Sequence, residues 1–157
     1  MSGDLNHPPA KVIIAFLIDR GLVSDPDDNL AWPCYYGKEP DEPDNCVTVF
    51  DTTARLQGRI QFDGEVPTQY GFQVRVRCAP HELAEGYVKC KRILTDFDKH
   101  SRRVYVSIGS DTYMLHAVTR QSDVTPLGTE TPTSRRRLYV ANAVATLRLQ
   151  PGTGSYS

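Results

Sequence analysis

Between Phe72 and Cys78 apolar and polar residues alternate at every step. Phe72, Val74, Val76 and Cys78 fall on one side, and Gln73, Arg75 and Arg77 on the other. A period of two is that of a strand with one buried face, so this run predicts a strand with a packed side and a polar, positively charged side. The period then changes. Leu83, Tyr87, Cys90, Leu94 and Phe97 recur at intervals of four, three, four and three, one stripe of an α-helix, and the stripe reads as core. Pro80 suits the start of that helix, where a missing N–H costs little. Glu85 and Lys89 are placed for an i,i+4 pair on the outer face, worth only about 0.3 kcal/mol. Gly86 costs about 1 kcal/mol relative to alanine inside a helix, so its presence marks a close helix–sheet contact.

An earlier helix is expected over Asn6 to Gly21. Val12, Ile13, Phe16 and Leu17 share one stripe, Asn6 or His7 can cap it, and Pro8 and Pro9 suit its first turn. Gly21 can end it in the left-handed region. Ser24 to Asn29 is acidic and loop-like. Trp32 to Tyr36 reads as a short aromatic strand that Pro33 confines to an edge or a strand start. The run G-K-E-P-D-E-P-D-N after it is a surface turn.

Cys46 to Phe50 is dense in β-branched and aromatic residues and predicts a second strand. Asp51 to Tyr70 is too long for an ordinary connection, and reads either as a floppy surface loop or as an arm that orders when it docks on a partner. It carries Arg55, Arg59, Phe62 and a tight-turn candidate at Asp63-Gly64. Arg103 to Ile108 and Thr112 to Arg120 read as a hairpin about Gly109-Ser110-Asp111. Gln121 to Ser134 reads as a second long loop, which ends at Arg135, Arg136 and Arg137. Leu138 to Leu149 is apolar on both faces, as in a central or bulged strand.

The pattern adds up to one α+β domain over residues 1–150. Its mixed or antiparallel sheet has about five to six strands, with two helices packed on one face and two long loops. Residues 151–157 are expected as a flexible tail.

Composition narrows the chemistry. The 157 residues carry a formal net charge of −1, which argues against a surface built wholly for nucleic acid or membrane. The longest apolar run, Val12 to Ile18, is far short of a membrane span, and the N-terminus lacks the basic segment of a secretory signal. The reading is a soluble chain made in the cytosol. Cys34, Cys46, Cys78 and Cys90 form no C-x-x-C pair, so they read as small buried hydrophobes. Cys78-x-x-His81 with Cys90 is a partial zinc pattern without a second half, and neither metal nor cofactor is expected. There is no G-x-S-x-G, phosphate-binding glycine loop or H-E-x-x-H, and the four histidines are scattered. The expectation is therefore not an enzyme.

Three stretches in order carry a likeness to a known family: P-D-N-C-V-T-V-F-D-T-T, then F-Q-V-R-V-R, then the helix holding G-Y-V-K-C-K-R-I-L. With W-P-C-Y-Y-G before them and R-R-R-L-Y-V-A-N-A-V-A-T-L at the end, the chain over about residues 10–150 resembles the tail terminator family. These are small neck proteins of long-tailed bacteriophages, often described as minor capsid or tail completion proteins.

The resemblance implies a non-enzymatic structural virion protein in the head-proximal neck of the tail, assembled in the host cytoplasm. It implies a homo-hexameric ring that stops polymerisation of the tail tube protein and joins a head-completion or other neck protein, while DNA passes through the lumen without sequence-specific binding. The contact residues assigned on this basis are Arg55, Arg59, Phe62, Arg75, Arg77, Arg135, Arg136 and Arg137, toward the tube or neighbouring subunits. The rivals are another neck protein, such as a head-completion or head-closure connector, a small intracellular hydrolase using a cysteine or histidine, and a plain binding module that stays monomeric.

Overall fold

The computed structural model describes residues 5–56, 68–100, 102–129 and 135–150. Two helices, α1 (Pro9–Asp19) and α2 (Leu83–His100), accompany seven strands. These are β1 (Cys34–Tyr36), β2 (Cys46–Leu56), β3 (Thr68–Cys78), β4 (Val104–Ile108), β5 (Asp111–Arg120), β6 (Thr125–Thr129) and β7 (Arg137–Leu149). The sheet runs β1-β2-β3-β7-β5-β4, with β6 alongside β7. Among the described strands β1 and β2 pair in parallel and the other pairs are antiparallel, so the sheet is mixed and the α+β class holds. Helix α1 touches β2 and β4, near opposite ends of that order, so the sheet curls around it. Among the described residues, no helix is long and apolar enough to cross a membrane.

The alternation over β3 sets the layering. Phe72, Val74, Val76 and Cys78 are buried toward the helices, and both helices pack on that face. Phe97 of α2 lies at the centre, 6.0 Å from the ring of Phe16 on α1 and 5.6 Å from that of Phe72. Strand β7 is central as expected, with β3 along one edge and β6 then β5 along the other. Its two apolar faces have separate uses. Ala141, Ala143 and Ala145 are buried in the core shared with the helices, while Leu138 and Val140, at alternate positions, are buried on the opposite face.

Several expectations are corrected. The stripe of α2 turns as it proceeds: Cys90, Ile93, Leu94 and Phe97 are buried, but Leu83 and Tyr87 are exposed. The early helix meets the sheet through Gly86 instead. A Cβ there would lie 2.5 Å from Cys78 Sγ and 2.9 Å from Cys78 Cβ, closer than packed atoms come, so glycine sets the helix–sheet distance. Lys89 does not turn to Glu85; its Nζ donates to Leu22 O at 2.8 Å and sits over the Trp32 ring.

Helix α1 has no side-chain cap of its own, because Pro8 occupies the N-cap position. The strand supplies one. Asp51 Oδ1 on β2 accepts the Ala10 N–H at 2.8 Å and its Oδ2 accepts the Tyr36 hydroxyl at 2.6 Å, which sets a carboxylate at the positive end of the helix dipole. Asn6 and His7, the expected caps, both reach Tyr113 Oη instead, at 3.1 and 2.6 Å.

Both long loops are shorter than their composition suggests. Strand β2 continues to Leu56 through an irregularity between Asp51 and Ala54, and β3 already begins at Thr68. The Asp63-Gly64 turn lies outside the described residues. Strand β6 occupies the middle of the expected second loop. Its Pro126 lacks an N–H, which an edge strand tolerates.

Candidate assembly surfaces

The outward face of β3 was expected to offer its arginines to partners. Arg77 instead is 1% exposed. Its guanidinium donates to three backbone carbonyls of the segment 40–44: Pro40 O at 2.5 Å, Pro43 O at 2.6 Å and Asp44 O at 3.2 Å. A planar fork with five fixed donors suits such a task. Arg136 joins it, donating to Asp41 O at 2.5 Å and lying 3.6 Å from Asp44 Oδ1. Asn45 closes the segment by accepting Ala79 N–H at 2.8 Å and donating to Glu82 Oε2. The Pro- and Asp-rich turn is thereby folded against the sheet and held from behind, with Asp41, Glu42 and Asp44 turned to solvent.

Arg75 lies beside this loop, 3.9 Å from Glu39 and with its guanidinium over the Phe50 ring. Arg135 and Arg137 are exposed at the entry to β7. Arg135 has φ +58°, a conformation uncommon for a residue with a side chain. Arg55 pairs its backbone with Gln69 in the β2–β3 ladder; its side chain, with Arg59 and Phe62, lies outside the described residues. The structure thus brings Arg75, Arg77 and Arg136 together around one loop and leaves Arg135 and Arg137 outward.

A second surface lies on the helix layer, where sequence reasoning placed only core and a solvated face. A groove of about 360 Å³ is lined by Leu22, Tyr87, Val88, Lys91, Arg92, Thr95, Asp96 and Lys99. Tyr87 is 44% and Val88 43% exposed. Lys91 is tied to Asp123 at 2.7 Å and Asp96 to Arg20 at 3.0 Å. Burial, and after it the charge of Arg92, holds the Lys89 ammonium below its usual pKa. The signal available in the sequence was Val88, which falls off the core stripe beside Tyr87.

The thiols are packing groups. None of the four cysteines is in a disulfide, and all four are buried. Burial pushes the Cys90 thiol up to about 12; it raises Cys34 and Cys78 as well, with Cys46 and Glu82 adding to the two shifts in turn. A thiolate forms only as pH rises through the folded-state pKa, so these groups stay protonated at neutral pH. A disulfide reagent at pH 7 is expected to leave the native protein unlabelled over the time in which it titrates four thiols in denaturant. One fast-reacting native thiol would contradict the packing role. Among the described residues, no three His, Cys, Asp or Glu side chains gather to hold a metal ion.

No protein-family model matches the chain, and no curated protein matches it.

Proposed function

We propose that this chain is a structural virion protein of a long-tailed bacteriophage, a tail terminator. It forms a hexameric ring on the head-proximal end of the tail tube, stops tube growth and presents the surface that joins the head-side neck protein, with a passage for DNA. The observation that carries the reading is the apolar groove beside α2, where Tyr87 and Val88 stand exposed side by side. Elsewhere Leu30 on the α1–β1 connection, Tyr105 on the terminal strand β4 and Leu127 on the edge strand β6 are exposed. Single exposed apolar side chains are ordinary on any protein surface, whereas an exposed apolar groove rimmed by polar groups marks a site for a partner. A ring subunit has two neighbours, a tube below and a connector above, and such a groove serves one of these contacts. The ordered succession of motifs from W-P-C-Y-Y-G to the closing strand supports the particular family, and the α+β fold is the class that family implies.

Co-sedimentation with tail tubes of the same phage tests this. Binding is expected to saturate at a small fixed number of copies per tube, because only one end is a target. Binding that grows in proportion to tube length, or none at all, would overturn the proposal.

A further inference from the structure

We infer that two copies of this chain meet head to tail, the α2 groove of one receiving the acidic loop 38–44 of the next. The inference rests on the ring reading above and names the surfaces that build it. The groove has an apolar floor of Leu22, Tyr87 and Val88; Asp123 pairs with Lys91 and Arg20 with Asp96, so its rim presents the cations Arg92 and Lys99. On the loop, Arg75 and Arg136 lie beside Glu39 and Asp44, so the acids presented outward without such a neighbour are Asp41 and Glu42, opposite in sign to the groove. The loop also has its own apolar anchor, since Tyr35, Tyr36 and Pro40 line the hollow beside it.

Charge of opposite sign around an apolar centre on each side is the pattern of a specific interface, where charges set register and the apolar groups supply affinity. The loop is also prepared for the task. Arg77, Arg136 and Asn45 fix its backbone from behind, so little ordering remains to oppose docking. The groove sits on the outer side of the helix layer, whereas the loop is bound by Arg77 on the face of β3 turned away from the helices. A contact between two different patches is heterologous, and such contacts repeat from copy to copy until the ring closes.

Two double variants separate the halves of the interface: Arg92→Glu with Lys99→Glu in the groove, and Asp41→Lys with Glu42→Lys in the loop. All four side chains are exposed, and thermal melts matching the wild type confirm that each variant folds. In sedimentation velocity the wild type is expected to self-associate, more weakly as salt is raised. Each variant alone should associate at least about tenfold more weakly, because like charges then face each other. Mixing the wild type with either variant should give chains that end early, and combining all four changes in one chain should restore assembly.

A wild type that stays monomeric at every concentration overturns the inference, as do variants that assemble like the wild type or a fourfold variant that stays apart. Variants that assemble normally and still bind tube ends would place the interface elsewhere and leave the terminator reading intact. Head-to-tail complexes that never bind tubes would do the reverse.

Discussion

Replacing Arg77 with alanine is expected to lower the melting temperature by about 10 °C. The side chain is 1% exposed and donates to Pro40, Pro43 and Asp44 carbonyls. Hydrogen bonds to a charged donor are each worth about 1.5–3 kcal/mol, and a buried acceptor left alone costs about 1–3 kcal/mol. The three bonds act on one segment, so their losses do not simply add, and water reaches part of the released loop. A net loss of about 3–4 kcal/mol follows, and at about 2–4 °C per kcal/mol for a chain of this size the shift is near 10 °C. Calorimetry gives the magnitude. Hydrogen exchange gives the location: amides of residues 38–45 should lose protection while those of β7 keep theirs. Arg77→Lys should recover little, because one ammonium cannot span three carbonyls in the plane of the fork. A variant melting with the wild type would mean that the loop is not held through this residue.

Phe97→Ala should cost as much or more, about 3–5 kcal/mol. Phe97 is the ring on which α1, α2 and β3 converge, stacked on Phe16 and edge-on to Phe72. Truncation leaves a cavity bounded by three elements, and the small residues nearby on β7, Ala141, Ala143 and Ala145, offer no side chain to fill it. Phe97→Leu keeps most of the volume and should cost under half as much. Urea unfolding checks both. The midpoint should fall with the slope unchanged, as for lost stability rather than a changed unfolded state. A slope that falls with the midpoint would instead indicate that the helices and sheet no longer unfold together.

The two side chains also mark what the sequence made legible. Phe97 was readable because the helical period carries its own register: once Cys90 and Leu94 are inside, Phe97 must follow. The alternation in β3 was readable for the same reason, and so were the central place of β7 and the close approach at Gly86. Arg77 was assigned to the correct face of the strand, yet nothing local says that a segment more than thirty residues earlier folds back over it. Its use is decided by chain reversal through β2, a long-range event. Lys89 was placed by its i,i+4 spacing, but a carbonyl and an indole ring from the α1–β1 connection lie closer. Strand β6 escaped notice because T-P-L-G-T carries two turn-forming residues and pairs on one edge only, where β-propensity counts for little. The groove beside α2 was hidden for another reason. Tyr87 fits the core stripe by period, and only the tight seat of Gly86 rotates it outward.

The sheet layer and the helix layer therefore present different surfaces. The sheet's outer face holds a rigid acidic loop, and the helix layer offers an apolar groove with a cationic rim. The arginines divide accordingly: Arg77 and Arg136 work inside the subunit, while Arg135 and Arg137 stand free of that loop at its edge.

The most direct test of the proposed ring at a tube end is negative-stain microscopy of tail tubes from the phage that the proposal implies, grown with and without this protein. With it, tubes should share one length and carry a six-fold cap at one end only; without it, they should run on to varied lengths. Tubes of the same length distribution in both samples, with bare ends, would contradict the assignment.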